Sequence, residues 1–142
     1  LALAGFCDHE WFCVPLTGEN AWLAVTPIAV RELLAVLLCI CTFADKLKNQ
    51  QVTCNVDNTV SCYCINNAYS KDKTLMVLVR ALYYITSVHN ISHKACFLDT
   101  HANAIADSIS RLEFDRFSEL HPRANRYMTP AVNVKQIIGL GL

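Results

Sequence analysis

The chain has 142 residues, 54% of them apolar and 17% charged, with twelve basic and twelve acidic side chains. That length suits one domain with a buried core, and the composition excludes intrinsic disorder. Zero formal charge excludes a globally basic nucleic-acid-binding surface, so any contact with phosphates has to be local.

Eight cysteines are present, and most sit in apolar or alternating runs, such as LLAVLLCICTFA and QVTCNV. Buried cysteine behaves as a small hydrophobe, so reduced thiols in a cytoplasmic or nuclear protein are expected. The one-residue gaps Cys39–Cys41 and Cys62–Cys64 do not match zinc-knuckle spacing. The longest uncharged apolar run, 33–44, is too short to span a bilayer and reads as a core helix. No basic segment precedes an apolar stretch in the manner of a signal peptide. The chain opens on LALAGFC without an initiator methionine, which reads as a strand in progress and as a piece of a longer polypeptide.

Residues 1–7 and 11–14 are expected to pair as a hairpin about a turn at Asp8-His9-Glu10, and Ala21–Val25 to add a third short strand. Thr26-Pro27 signals a helix start, with Thr as cap and Pro in the first turn, and the helix is expected to run to about Lys46. Its nearly uniform apolarity implies burial on several faces. Val52, Cys54 and Val56 alternate with Gln51, Thr53 and Asn55, which predicts a strand. Asp57-Asn58 ends that strand and opens a short helix. Leu75, Leu78, Val79, Leu82 and Ile85 mark a helix over about 72–88, residues 93–98 a fifth strand, and Ile105, Ile109 and Leu112 a helix from about Asn103. A short helix over 112–120 precedes a tail. The expected class is α/β: a mixed five-stranded sheet, three antiparallel strands then two parallel, with helices packed on it. The expected domain covers 1–121, with 122–142 as tail or linker.

Three acids stand in unusual places. Glu32 lies in an apolar helix, where an unpaired carboxylate needs a partner, an exit or a metal; Arg31 beside it offers an ordinary ion pair. Asp57 follows a strand, either as a helix cap or at the carboxyl end where ligands gather in open α/β sheets. Asp107 points away from its helix's apolar stripe, which reads in isolation as a solvated face.

Together, RELLAVLLCICTF (31–43), VTCNVDNTVSCYCINN (52–67), TLMVLVRALYYI (74–85) and NAIADSISR (103–111) resemble the ribonuclease H domain of retroelement reverse transcriptases, closest to the DIRS-like, tyrosine-recombinase group. FDRFSELHPRANRYMTPA (114–131) resembles the linker that follows it. The resemblance implies two-metal hydrolysis of the RNA strand of an RNA–DNA hybrid, with Mg²⁺ (or Mn²⁺) as cofactor and an upstream polymerase domain in the same polyprotein. It makes Glu32, Asp57 and Asp107 catalytic metal ligands and Asn58 a substrate-binding residue. The family's first Asp would fall upstream of Leu1, and Asp8 in the turn does not replace it. The fragment itself is therefore expected to be inactive or nearly so. A non-catalytic ribonuclease H-like remnant, acting as a structural or binding domain, is the alternative. Lys71, Lys73, Lys94, Arg80 and Tyr69 are candidates for a local nucleic-acid contact. No membrane partner is expected.

Overall fold

In a computed structural model, which describes residues 1–140, the chain is a mixed α/β protein. Its strands are β1 (Ala2–Cys7), β2 (Glu10–Pro15), β3 (Gln51–Val56) and β4 (Ser92–Phe97). Its helices are α1 (Ile28–Thr42), α2 (Ala44–Leu47), α3 (Thr59–Asn67), α4 (Lys73–Val88), α5 (Ala104–Ser110), α6 (Phe114–Leu120) and α7 (Val134–Leu140).

The expected five-stranded sheet does not form. β1 and β2 make an antiparallel hairpin, β3 and β4 a separate parallel pair. Asp8 turns the hairpin with φ at 53°, a conformation Asp tolerates better than most residues. The segment expected as a third strand, Ala21–Val25, belongs instead to a 3-10 helix over Gly18–Val25. A strand there would bury Ala21, Leu23 and Val25 together; only Leu23 is buried, and Val25 is 87% exposed. Thr26 Oγ1 donates to the Leu23 carbonyl at 2.8 Å, closing this turn rather than capping the next helix as expected.

α1 begins after Pro27 and stops at Thr42, short of the expected end, because the backbone breaks at Phe43 before the single turn of α2. Val30, Leu33, Leu34, Leu37, Leu38 and Ile40 are buried on it, which accounts for its near-uniform apolarity. α4 lies against α1 and buries Leu75, Leu78, Val79, Leu82 and Ile85. Asp72 caps α4 by accepting from the Leu75 amide at 2.9 Å. The stretch read as a tail carries α7, whose Val134 and Ile137 enter this same core. The opposite face of the hairpin holds a smaller core: Ala2, Trp11 and Cys13 against Ile109 of α5 and Phe117 of α6.

Both outer strand edges are covered in part. Residues 125–129 run along β2, with Asn125 and Thr129 amides donating to the His9 and Trp11 carbonyls at 2.8 Å each. On β4, the Asn66 side chain donates to the Ala95 carbonyl at 2.9 Å and accepts from its amide at 2.8 Å. This covering prevents edge-to-edge association.

Gly5 holds the hairpin close to α1. A Cβ there would sit 2.8 Å from Phe12 Cε1 and 3.3 Å from Cys39 Sγ, and Phe12 is fully buried. Gly5→Ala is therefore expected to destabilise the fold by about 1–3 kcal/mol through overpacking, read as a lower urea midpoint at unchanged slope.

Candidate functional site: an acid-lined cleft between the two sheets

A cleft of about 800 Å³ separates β1 from β3. Both strands line it along their length, α1 floors it and α5 borders it. Glu32, Asp57 and Asp107 all line this one cleft. The three acids are far apart in sequence and come together because α1, the end of β3 and α5 converge here.

Glu32 enters from the second turn of α1. Its carboxyl is pushed up to about 7, first by burial, then by the charge of Asp57, a hydrogen bond with Asp57, and the charge of Asp107; Arg31 opposes these effects. Burial and the neighbouring Asp57 carboxyl both favour the protonated form of Glu32. The ordinary reading of Glu32 as the partner of Arg31 is not realised: among the described residues Glu32 makes no ion pair. Arg31 also lines the cleft, and its Nε is buried with no hydrogen-bond partner.

Asp57 stands one residue past β3 and is half-buried. It does not cap the following helix. Asn58 does, its Oδ1 accepting from the Ser61 amide at 2.9 Å and the Ser61 hydroxyl at 3.1 Å. The cap frees Asp57 to face Glu32, and it engages the Asn58 oxygen that the resemblance assigned to substrate. Ser61 Oγ in turn donates to the Ala29 carbonyl at 3.1 Å, tying the start of α3 to the start of α1.

Asp107 is not a solvated helix residue; its side chain is only 11% exposed. Arg111 Nε donates to its two oxygens at 3.0 and 3.1 Å, and Arg116 Nη1 reaches it at 3.4 Å. Sequence reasoning missed these arginines, although the four-residue step from Asp107 to Arg111 is a helical pairing signal. Arg116 comes from α6, and only the turn between α5 and α6 brings it near.

Two neighbouring carboxyl groups have the hard oxygens that suit Mg²⁺. In that respect Glu32 and Asp57 fit a divalent cation. Asp107 as arranged does not, because its oxygens are held by guanidinium groups. Among the described residues, no three His, Cys, Asp or Glu side chains are grouped closely enough to hold one ion. Asp8 lies at the far end of β1, exposed and 3.3 Å from Lys46 Nζ. Lys71, Lys73, Arg80, Lys94 and Tyr69 are exposed, and none of them lines the cleft. The eight cysteines are free thiols; burial raises Cys54 and Cys41 to about 11 each. Among the described residues, no helix is long and apolar enough to cross a membrane.

No protein-family model, no curated protein and no solved structure matches this chain. The geometry itself defines a mixed α/β protein with a carboxylate pair at the carboxyl end of a parallel strand.

Proposed function

We propose that the cleft belongs to a ribonuclease H-like nuclease domain of a retroelement reverse transcriptase, acting on the RNA strand of RNA–DNA hybrids. The observation that carries this reading is the meeting of Glu32, Asp57 and Asp107 at one cleft, with Glu32 raised to about 7 by burial first and then by its acidic neighbours. Carboxylates crowded at a strand end are costly to ionise together, and a bound cation relieves that cost.

In this reading Glu32 and Asp57 would hold Mg²⁺, and Asp107 would join them only if released from Arg111. When bound, such ions lower the pKa of water and stabilise the leaving oxygen of a phosphodiester. The chain's own residues supply the rest. Glu32 gives up its proton as the cation arrives. Asn58 and Ser61 hold the start of α3 so that Asp57 keeps its position. Arg31, which also lines the cleft, would meet a phosphate oxygen in this reading. Polymerase and hybrid partners belong to the same proposal, as does an intracellular setting, cytoplasmic or nuclear.

Among the described residues no fourth acid lines this cleft, so the chain alone is expected to bind Mg²⁺ weakly and to leave a labelled hybrid uncut at ordinary rates. The test is a Mg²⁺ titration followed by carboxyl ¹³C NMR. Expected are shifts at Glu32 and Asp57 that Asp57→Asn abolishes. Carboxyl signals indifferent to millimolar Mg²⁺ would end the nuclease reading.

The arginine clasp on Asp107 favours a second reading, a non-catalytic domain of the same fold that acts as a structural or binding surface. Arg111→Ala with Arg116→Ala separates the two. Tighter Mg²⁺ binding in that double variant supports the nuclease, and unchanged binding supports the remnant.

A further inference from the structure

A second pocket, of about 320 Å³, lies on the other face of the hairpin. It shares no lining residue with the acid-lined cleft. Trp11 of β2, Phe114, Phe117 and Ser118 of α6, His121 just after it and Arg126 line it. Residues 114, 117, 118 and 121 fall on one face of a helix, so α6 turns two phenyl rings toward β2. Phe117 meets the Trp11 indole edge-on at 5.0 Å between centroids, and Phe114 stands at 5.9 Å. The chain then doubles back. His121 Nε2 donates to the Asp8 carbonyl at 2.6 Å. The Asn125 amide donates to the His9 carbonyl, and Trp11 Nε1 donates to the Asn125 carbonyl, each at 2.8 Å. These bonds pin the strap of residues 121–126 to the hairpin and leave the pocket between strap and α6. Phe117 is buried there, whereas Phe114 is 43% exposed.

Charge is uneven around this pocket. The chain is neutral overall, yet three of its twelve basic residues and none of its twelve acids follow Leu120. Arg126 lines the pocket and Arg123 precedes it on the same strap; both are exposed. Among the described residues neither makes an ion pair. Asp115 and Glu119 of α6 are exposed, and neither lines the pocket.

Aromatic faces beside unpaired guanidinium groups select a ligand that is flat, π-rich and anionic. A nucleobase carrying its phosphate combines all three. An aliphatic side chain would use the rings and leave the arginines idle, and an inorganic anion would do the reverse. The volume stands at the lower end of small-ligand sites, roughly 300–1,000 Å³, which suits one nucleotide and not a base pair. A base stacked in a duplex hides its faces, so the ligand has to be single-stranded.

We propose that this pocket binds one unpaired base of a single-stranded nucleic acid, the base against Phe114 and Trp11 and its phosphates on Arg126 and Arg123. The grip tolerates any sequence, because every base has a π-face. The arginines supply the local basic contact that a neutral chain needs. The inference goes beyond the nuclease reading and does not use its acids.

The test titrates the unaltered chain, in EDTA, into fluorescein-labelled oligouridylate and oligothymidylate decamers, followed by anisotropy. Both are expected to bind, and the same decamers paired with their complements to bind at least about tenfold more weakly. Phe114→Ala is expected to weaken binding about tenfold and Phe114→Tyr to preserve it. Arg123→Ala with Arg126→Ala is expected to flatten the slope of log K against log salt by about 1.4, two phosphates' worth. In a Trp22→Phe chain, Trp11 is the sole tryptophan, and its fluorescence is expected to be quenched by unlabelled decamer. Should Phe114→Ala fail to fold, the exposed arginine pair and the Trp11 signal decide. Unchanged binding by folded Phe114→Ala, equal binding of the duplexes, an unchanged salt slope or an unquenched Trp11 would each overturn the proposal. So would UMP binding as tightly as the decamer, since a free nucleotide would then be the ligand. An acidic aromatic peptide that displaces the decamer at lower concentration would also overturn it. Magnesium is absent throughout, so failure here and failure of the acid site are read separately.

Discussion

Glu32→Gln is expected to raise the melting temperature at about pH 8 and to leave it nearly unchanged at about pH 4. The carboxyl is raised in the folded chain to about 7 from an ordinary value of 4.5. Below the ordinary value both folded and unfolded forms carry the proton, and the site costs nothing. Between 4.5 and about 7 the unfolded chain ionises while the folded chain holds its proton, so stability falls as pH rises through that window. Above it the loss is complete, of order 3 kcal/mol at about 1.4 kcal/mol per pH unit. Glutamine cannot ionise and escapes the loss, which amounts to several degrees at about 2–4 °C per kcal/mol for chains near this size. Thermal melts at the two pH values check it. Equal melting temperatures of variant and wild type at the higher pH would show that Glu32 is solvated and uncoupled from Asp57. Added Mg²⁺ is expected to raise the wild-type melt at the higher pH by relieving the same crowding, and to do little for the variant.

The second large effect belongs to Asn66. Its carboxamide makes both hydrogen bonds that a neighbouring strand would make to Ala95, whose residue is buried at the outer edge of β4. Asn66 is exposed and the two hydrogen bonds are partly buried, so Asn66→Ala loses two hydrogen bonds whose backbone groups water reaches in part. A loss of about 1–3 kcal/mol is expected, measured by urea unfolding, together with faster exchange of the Ala95 amide. Asn66→Asp keeps the acceptor but not the donor, and is expected to fall between. A neutral Asn66→Ala would mean that the edge is open to water.

The spacing of apolar residues carried the elements whose burial is one-sided or complete. Val52, Cys54 and Val56 marked β3 to the residue, and the three-and-four stripe from Leu75 to Ile85 marked α4. Glu32 inside a core helix and Asp57 after a strand stood out because charge in such places has to be explained, whereas Asp107 read alone as a solvated face and joined them only through the family resemblance. What local pattern misjudged were segments with little burial of their own. Ala21–Val25 is a short apolar run after a turn signal, as a strand would be, but it buries only Leu23, so no partner strand rewards extension. Residues 134–140 lack contrast in sequence, yet Val134 and Ile137 find a gap left by α1 and α4.

Asn58 and Asp57 show the division most clearly. Either could have capped α3, and local propensity does not choose between them. The fold chose Asn58, because Ser61 must reach the Ala29 carbonyl and so fixes how α3 begins. The sequence alone determined an α/β protein with a buried α1, a parallel β3–β4 pair and three acids in conspicuous positions, because hydrophobic periodicity and the cost of burying charge act within a few residues. Only tertiary structure decided that Asp57 stands beside Glu32, that Arg116 holds Asp107, and that the two sheets stand apart across a cleft. Hydrogen bonds and charges act between whatever the packing of distant elements brings within a few ångströms, and no local pattern records those distances.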